Sequence, residues 1–193
     1  NDVDAVPPVT LAAPRKPDRA RPQRSAGLYI QSVIGTRVAL DVSEIGKNLA
    51  SILHQWLRTS VEGMCIAQGY VKPGSVLVLT YSSGVASGAI VTFDVSYQCL
   101  ICRPVEGMLI RGCVVKNITK AGIRAVTKEQ PSPVVVYISR DHMRDTDAFD
   151  TVNEGDLITA RVVGQRYELR DVFVSVVAVL ADQPTKPTVR LGT

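Results

Sequence analysis

The sequence predicts an α+β protein, mostly β, in which one main helix lies on an antiparallel sheet and a five-stranded barrel follows. Three observations lead there. Short runs rich in β-branched residues recur, each bounded by Gly, Pro, Asn or Asp. Residues 42–60 have helical periodicity instead. After residue 104, five short apolar runs fall within about 80 residues, with a longer polar link between the third and fourth.

The elements follow in order. Leu28 to Ile34 and Arg37 to Leu40 read as β segments broken at Gly35. The helix is expected from about Val42 to Ser60, with Asp41 as its N-cap and Glu44 completing a capping box. Ile45, Leu49, Ile52, Leu53, Trp56 and Leu57 recur on one face, which is expected to pack on the sheet. His54 falls on the polar side and is expected to be exposed, and Glu62-Gly63 ends the helix. Strands are then expected at Gly63 to Val71, Ser75 to Tyr81 and Ala89 to Cys102, with Ser82 to Gly88 as a flexible connection. No Lys-Ser/Thr follows that loop, so it is no phosphate-binding loop.

Five antiparallel strands are expected beyond Arg103-Pro104: Glu106 to Thr119, Ile123 to Thr127, Pro133 to Ser139, Val152 to Gly164 and Asp171 to Val179. A turn at Lys120-Ala121-Gly122 joins the first two. That count and spacing is the signature of an OB barrel.

The chain of 193 residues is 46% hydrophobic and 21% charged, which is ordinary for a globular protein and long enough for one large or two small domains. No apolar run approaches the ~20 residues of a membrane-spanning helix, so no membrane partner is expected. Residues 1–27 are polar and hold no apolar segment of the secretion-signal kind, so an intracellular protein is expected, and the lack of an initiating Met is read as processing or trimming. Of the net charge of +4, half comes from this tail: Arg15, Lys16, Arg19, Arg21 and Arg24 against Asp2, Asp4 and Asp18. The tail also holds five of the 11 prolines, a composition that buries too little to fold alone and that phosphate would attract.

Cys99 and Cys102 form a Cys-x-x-Cys inside a strand, where positions i and i+3 point to opposite faces. With Cys65 and Cys113 they are expected to be packing thiols, and no metal or other cofactor is expected. Asp145, Asp147 and Asp150 crowd one loop beside His142, but an EF-hand would need Gly and Glu where Asp150 and Asp156 stand. No nucleophile elbow, zinc-protease helix or Rossmann glycine pattern occurs, and no enzymatic activity is expected. Nucleic-acid binding is the serious candidate, because OB barrels stack bases on aromatics while Lys and Arg track phosphates. The candidates are Lys116, Lys120, Arg124, Tyr137, Arg140 and His142, with Arg144 beside them.

Six stretches then occur in an order that resembles one family. They are Val61-Glu-Gly-Met-Cys65, Gln68-Gly-Tyr-Val71, Gly88 to Tyr97, Cys102-Arg-Pro-Val-Glu-Gly-Met-Leu-Ile-Arg-Gly112, Pro133 to His142 and Gly155 to Gly164. From about Leu28 to Ala181 the chain resembles the seventh subunit of RNA polymerase II and its archaeal counterpart, the stalk subunits of DNA-directed RNA polymerases. The loop Lys128 to Pro133, with Ile-Ser-Arg-Asp-His after it, is similar to versions from large cytoplasmic DNA viruses.

The resemblance implies a ribonucleoprotein-like tip domain (28–103) and an OB domain (104–182), and composition sets a basic tail (1–27) before them and an irregular C-terminal tail (183–193) after. It implies a non-catalytic subunit, located in the nucleus, or in cytoplasm and virion if viral. The tip would dock on the large polymerase subunits near the clamp through Glu62, Gly63, Gln68, Gly69 and Tyr70. The barrel would meet nascent RNA, and a fourth-subunit-type partner would pack along the junction. Two departures stand out: Ile123 follows the turn glycine where related barrels often carry an aromatic, and the tail has no family equivalent. The alternative reading is a free-standing OB-fold RNA-binding protein of translation or RNA decay.

Overall fold

The computed structural model describes residues 27–46, 48–140 and 151–181. Its first half is a six-stranded sheet built around β6 (Ile90–Cys102). Along β6, Phe93, Val95, Tyr97, Cys99 and Ile101 are buried on one face, the period-2 pattern of a strand with one covered side. β1 (Tyr29–Asp41) pairs antiparallel with the whole of β6, from Tyr29 opposite Cys102 to Asp41 opposite Ile90. Contrary to the expectation from sequence, Gly35 does not break it. The unbroken ladder with β6 holds Gly35 opposite Ser96, in one continuous strand of 13 residues.

On its other edge β6 takes three short partners in turn: β3 (Gly69–Val71), β4 (Leu77–Tyr81) and β5 (Val85–Ser87). β5 lies inside the segment expected to be a flexible connection. It becomes a strand because Val85, Ala86 and Ser87 find open partners at Thr92, Val91 and Ile90. The expected strand from Gly63 to Val71 is instead a tight hairpin of β2 (Cys65–Ile66) and β3.

The helix α1 runs Leu49–Val61, shorter at its start than expected. Asp41 accepts from Ser43 N and Oγ, closing a turn of 3-10 helix at Val42–Glu44 rather than a capping box. Asn48 caps the true helix through Ser51 N. Leu53 and Leu57 are fully buried on the sheet, flanked by half-buried Ile45, Leu49 and Ile52. Trp56, expected in that stripe, stays 37% exposed, on the flank it shares with half-buried Leu49 and Ile52 rather than on the Leu53–Leu57 line. His54 is half-buried rather than exposed, with Nε2 3.0 Å from the carbonyl of Val76.

The second half closes on itself. β7 (Leu109–Ile118), β8 (Gly122–Val126), β9 (Val134–Ser139), β10 (Leu157–Arg166) and β11 (Val174–Leu180) form a barrel in the order β10-β11-β9-β8-β7. Only antiparallel neighbours were expected from sequence, yet β9 and β11 run parallel. A closed ring of five strands cannot alternate direction throughout, so one pair must be parallel.

The sheets share more than a covalent link. β2 bonds to the β10–β11 loop: Cys65 N donates to Asp171 O (2.7 Å) and Arg170 N to Cys65 O (2.8 Å). Tyr167 Oη reaches Ala67 O at 3.1 Å. Cys65, Tyr70 and Cys102, from the first sheet, belong to the barrel's core cluster rather than to the one under α1.

Candidate nucleic-acid and docking surfaces

Alternation along β8 and β9 places Ile123, Ala125, Val136 and Ile138 inside and Arg124 and Tyr137 outside. Register then assembles a row across four strands. Asn117 of β7 stands opposite Arg124 of β8, Arg124 opposite Tyr137 of β9, and Tyr137 opposite Val177 of β11. All four are exposed, Tyr137 by 41%. With Thr119, Gly122 and Ser139 they line an almost wholly apolar cleft of about 360 Å³. Gly122 makes it possible: a Cβ there would collide with the carbonyl oxygen of Ile138, so only glycine lets β8 cross β9 at this point.

Lys116 is the extra residue of a bulge between Val115 and Asn117 and points to solvent beside Arg124's strand. Lys120 is exposed on the turn closed by Thr119 N to Gly122 O (2.9 Å). Arg140 is half-buried at the same end of the barrel, its backbone N bonded to Ala121 O. His142, Arg144 and the cluster Asp145, Asp147 and Asp150 lie outside the described residues. The structure therefore brings Arg124 and Tyr137 together and sets Lys116, Lys120 and Arg140 around them. Asn117 and Val177 carry no compositional mark, and only the register reveals them as members of the row.

The other predicted set is internal for the most part. Glu62 closes the end of α1, its Oε1 accepting from Val76 N (3.0 Å) and its Oε2 from Arg58 Nε (3.4 Å). Gly63 is half-buried. Gly69 passes so near β6 that a Cβ would lie 2.6 Å from Cys102 O, and Tyr70 is fully buried against the barrel. Gln68 is the exposed member of the five. Large apolar side chains are exposed elsewhere on this sheet, at Leu77, Leu79 and Tyr81 of β4 and at Val85 of β5.

The four cysteines are buried thiols. Cys99 faces the α1 core and Cys102 the barrel core, as strand alternation requires. Burial raises them all, Cys65 and Cys102 to about 12 and Cys99 and Cys113 to about 11. At the junction, Tyr29 Oη donates to Glu129 Oε2 at 2.6 Å while Lys72 Nζ sits 4.7 Å from the Tyr29 ring centre. Burial first, and then the Glu129 carboxylate, hold that phenol protonated well above its usual range.

A helix-backed antiparallel sheet joined to a closed OB-type barrel is the architecture implied by the likeness to polymerase stalk subunits. The relatives agree. The chain is 26% identical over 180 residues, 84% of its length and 87% of the relative's, to a protein provisionally described as a DNA-directed RNA polymerase subunit of Acanthamoeba polyphaga mimivirus. It is 25% identical over 166 residues to DNA-directed RNA polymerase II subunit RPB7 of Glycine max and to subunit 7 of the same polymerase from Arabidopsis thaliana. Each of these two alignments covers 76% of this chain and 89% of the relative. No family model matches the chain. The resemblance read from the motifs is thus borne out by homologues, viral and plant, at modest identity over most of the chain.

Proposed function

We propose that the chain is a non-catalytic stalk subunit of a DNA-directed RNA polymerase whose barrel meets nascent RNA at the exit path. Its homologues carry polymerase-subunit names, and the row Asn117–Arg124–Tyr137–Val177 is the observation that carries the RNA part of this reading. An exposed phenol with a guanidinium on the neighbouring strand offers a base a stacking surface and its phosphate a cation. Lys116, Lys120 and Arg140 extend the positive surface around it.

In this reading residues 28–103 are the docking unit and 104–182 the RNA unit. The first sheet meets the large subunits near the clamp through Gln68 and the exposed apolar side chains of β4 and β5. A fourth-subunit-type partner packs along the junction, and the complex works in the nucleus, or in the cytoplasm and virion if the chain is viral.

The test has two arms. Tagged protein recovered from its native cells should carry the large polymerase subunits with it. Recovery without them would leave the free-standing RNA-binding reading. For the barrel, Tyr137→Ala should weaken single-stranded RNA binding by ~1–3 kcal/mol, about 5- to 150-fold, with unchanged thermal stability. Unaltered affinity would remove Tyr137 from the site.

A further inference from the structure

A second hollow lies on the barrel, at the junction end of β7 and β8. Its volume is about 420 Å³, and Leu28, Met108, Leu109, Arg111, Lys128 and Glu129 line it. Leu28, Met108 and Leu109 give it an apolar wall, while Arg111 and Lys128 are exposed cations at its rim. Its carboxylate is already engaged, since Glu129 Oε2 accepts from Tyr29 Oη.

This hollow and the Tyr137 cleft share one outward face. On β8, Arg124 and Val126 point outward while Ile123 and Ala125 fill the core, and the same alternation carried two residues on puts Lys128 outward. Gly112 of β7 confirms the position, because a Cβ on it would lie 3.7 Å from Lys128 Cε. Between the two hollows the ribbon surface is Val114 opposite Val126, both half-buried and uncharged. The face thus reads, from one end to the other, Arg111 and Lys128, then the valine pair, then Lys116, Arg124 and Tyr137, then Lys120. From Arg124 to Lys128 is four residues, roughly 13 Å at about 3.3 Å each. About four stacked nucleotides, at ~3.4 Å each, cover that distance.

We propose that the junction hollow is a second subsite for the same single RNA strand. The strand runs along the β7–β8 ribbon from the Tyr137 cleft, and Arg111 and Lys128 hold its phosphates while Leu28 and Met108 take a base. An apolar cleft beside Arg124 and a hollow with one apolar wall and two cations, separated by an uncharged waist, suit a flexible single strand. A duplex keeps its bases stacked inside and has no use for either hollow. The proposal rests on the RNA reading of the barrel and adds a length requirement to it.

The experiment uses the full chain with fluorescent oligouridylate of two lengths, a dinucleotide and a dodecanucleotide, titrated over a range of salt. Wild type should bind the longer probe more tightly. The double variant Arg111→Ala/Lys128→Ala should lose most of that gain and leave the dinucleotide, too short to reach from Arg124 to Lys128, unaffected. Its log affinity against log salt should be shallower by about 1.4, two phosphate contacts at ~0.7 each. Arg37→Ala, which removes one charge from the other sheet, should change neither. If the double variant keeps the full gain and slope while Tyr137→Ala weakens binding as expected, the second subsite is wrong and the first stands. If Tyr137→Ala and Arg124→Ala also bind as wild type does, both readings fall.

Discussion

The two sheets are made from similar β-branched sequence, yet they solve the problem of their edges in opposite ways. The barrel pairs β10 with β7 and has no free edge. Its outer surface is then free to carry, among the described residues, a single exposed aromatic amid cations. The first sheet stays open: β1 bonds to β6 on one side only and is an edge of 13 residues. One face is covered by α1, and Leu77, Leu79, Tyr81 and Val85 stay exposed. A closed sheet whose face sets cations around an apolar cleft suits a flexible ligand that is both charged and planar, whereas an open sheet with exposed apolar side chains suits a folded partner.

The largest expected effect tests whether the two halves also differ in how they are held together. The core of the first sheet depends on one helix, and Leu53 and Leu57 are its fully buried anchors. Leu57→Ala should cost ~2–5 kcal/mol in urea unfolding. Hydrogen exchange should show protection lost in α1, β1 and β6 before β8 and β9. Equal loss in both sheets would show a single cooperative unit, and the contrast between them would then be one of surface only.

Much of this division was legible in the sequence, for reasons that also explain the misses. Period-2 burial is local, so β6 and the five barrel strands could be read directly from Phe93 to Ile101 and from Leu109 to Leu180. Helix periodicity placed Leu53 and Leu57 correctly, but the start of α1 was misplaced. Asp41 has two competing uses, a helix cap or a turn with Ser43, and composition does not choose between them. The cleft was only half legible. Arg124 and Tyr137 are visible as a cation and an aromatic, but their adjacency, and the part played by Asn117 and Val177, depend on register between strands far apart in sequence. Tyr70 shows the same limit from the other side. Its motif suggests a contact, and only the packing of β3 against the barrel buries it.

An effect of intermediate size turns on the thiols, which the two halves hold unequally. Cys65, Cys102 and Cys113 lie in the barrel's core cluster, and Cys99 lies under α1. A thiol ordinarily titrates near 9.0, and burial raises these to about 11 or 12, so between those values the unfolded chain loses protons that the folded chain keeps. Stability from these groups is therefore complete below about pH 9 and drains away as pH rises toward the folded values. Urea midpoints measured on either side of pH 9 should fall on the alkaline side, and barrel signals should soften earlier than those of α1. Native protein at neutral pH should react slowly with thiol reagents. Rapid labelling of all four would contradict their burial.

The smallest effect concerns what joins the halves. Tyr29 comes from β1, Glu129 from the β8–β9 loop and Lys72 from the link after β3, so this cluster spans both sheets. Tyr29→Phe removes the hydroxyl and leaves the ring beneath Lys72, so the cation–aromatic contact should persist. The expected cost is ~0.5–1.5 kcal/mol, because the pair is partly exposed. Glu129→Gln should cost a similar amount, and the double variant should cost less than the sum. Strict additivity would mean that the hydrogen bond contributes nothing to the junction. The backbone pairing of Cys65 with Arg170 and Asp171, together with the burial of Tyr70, would then be what fixes the barrel to the sheet.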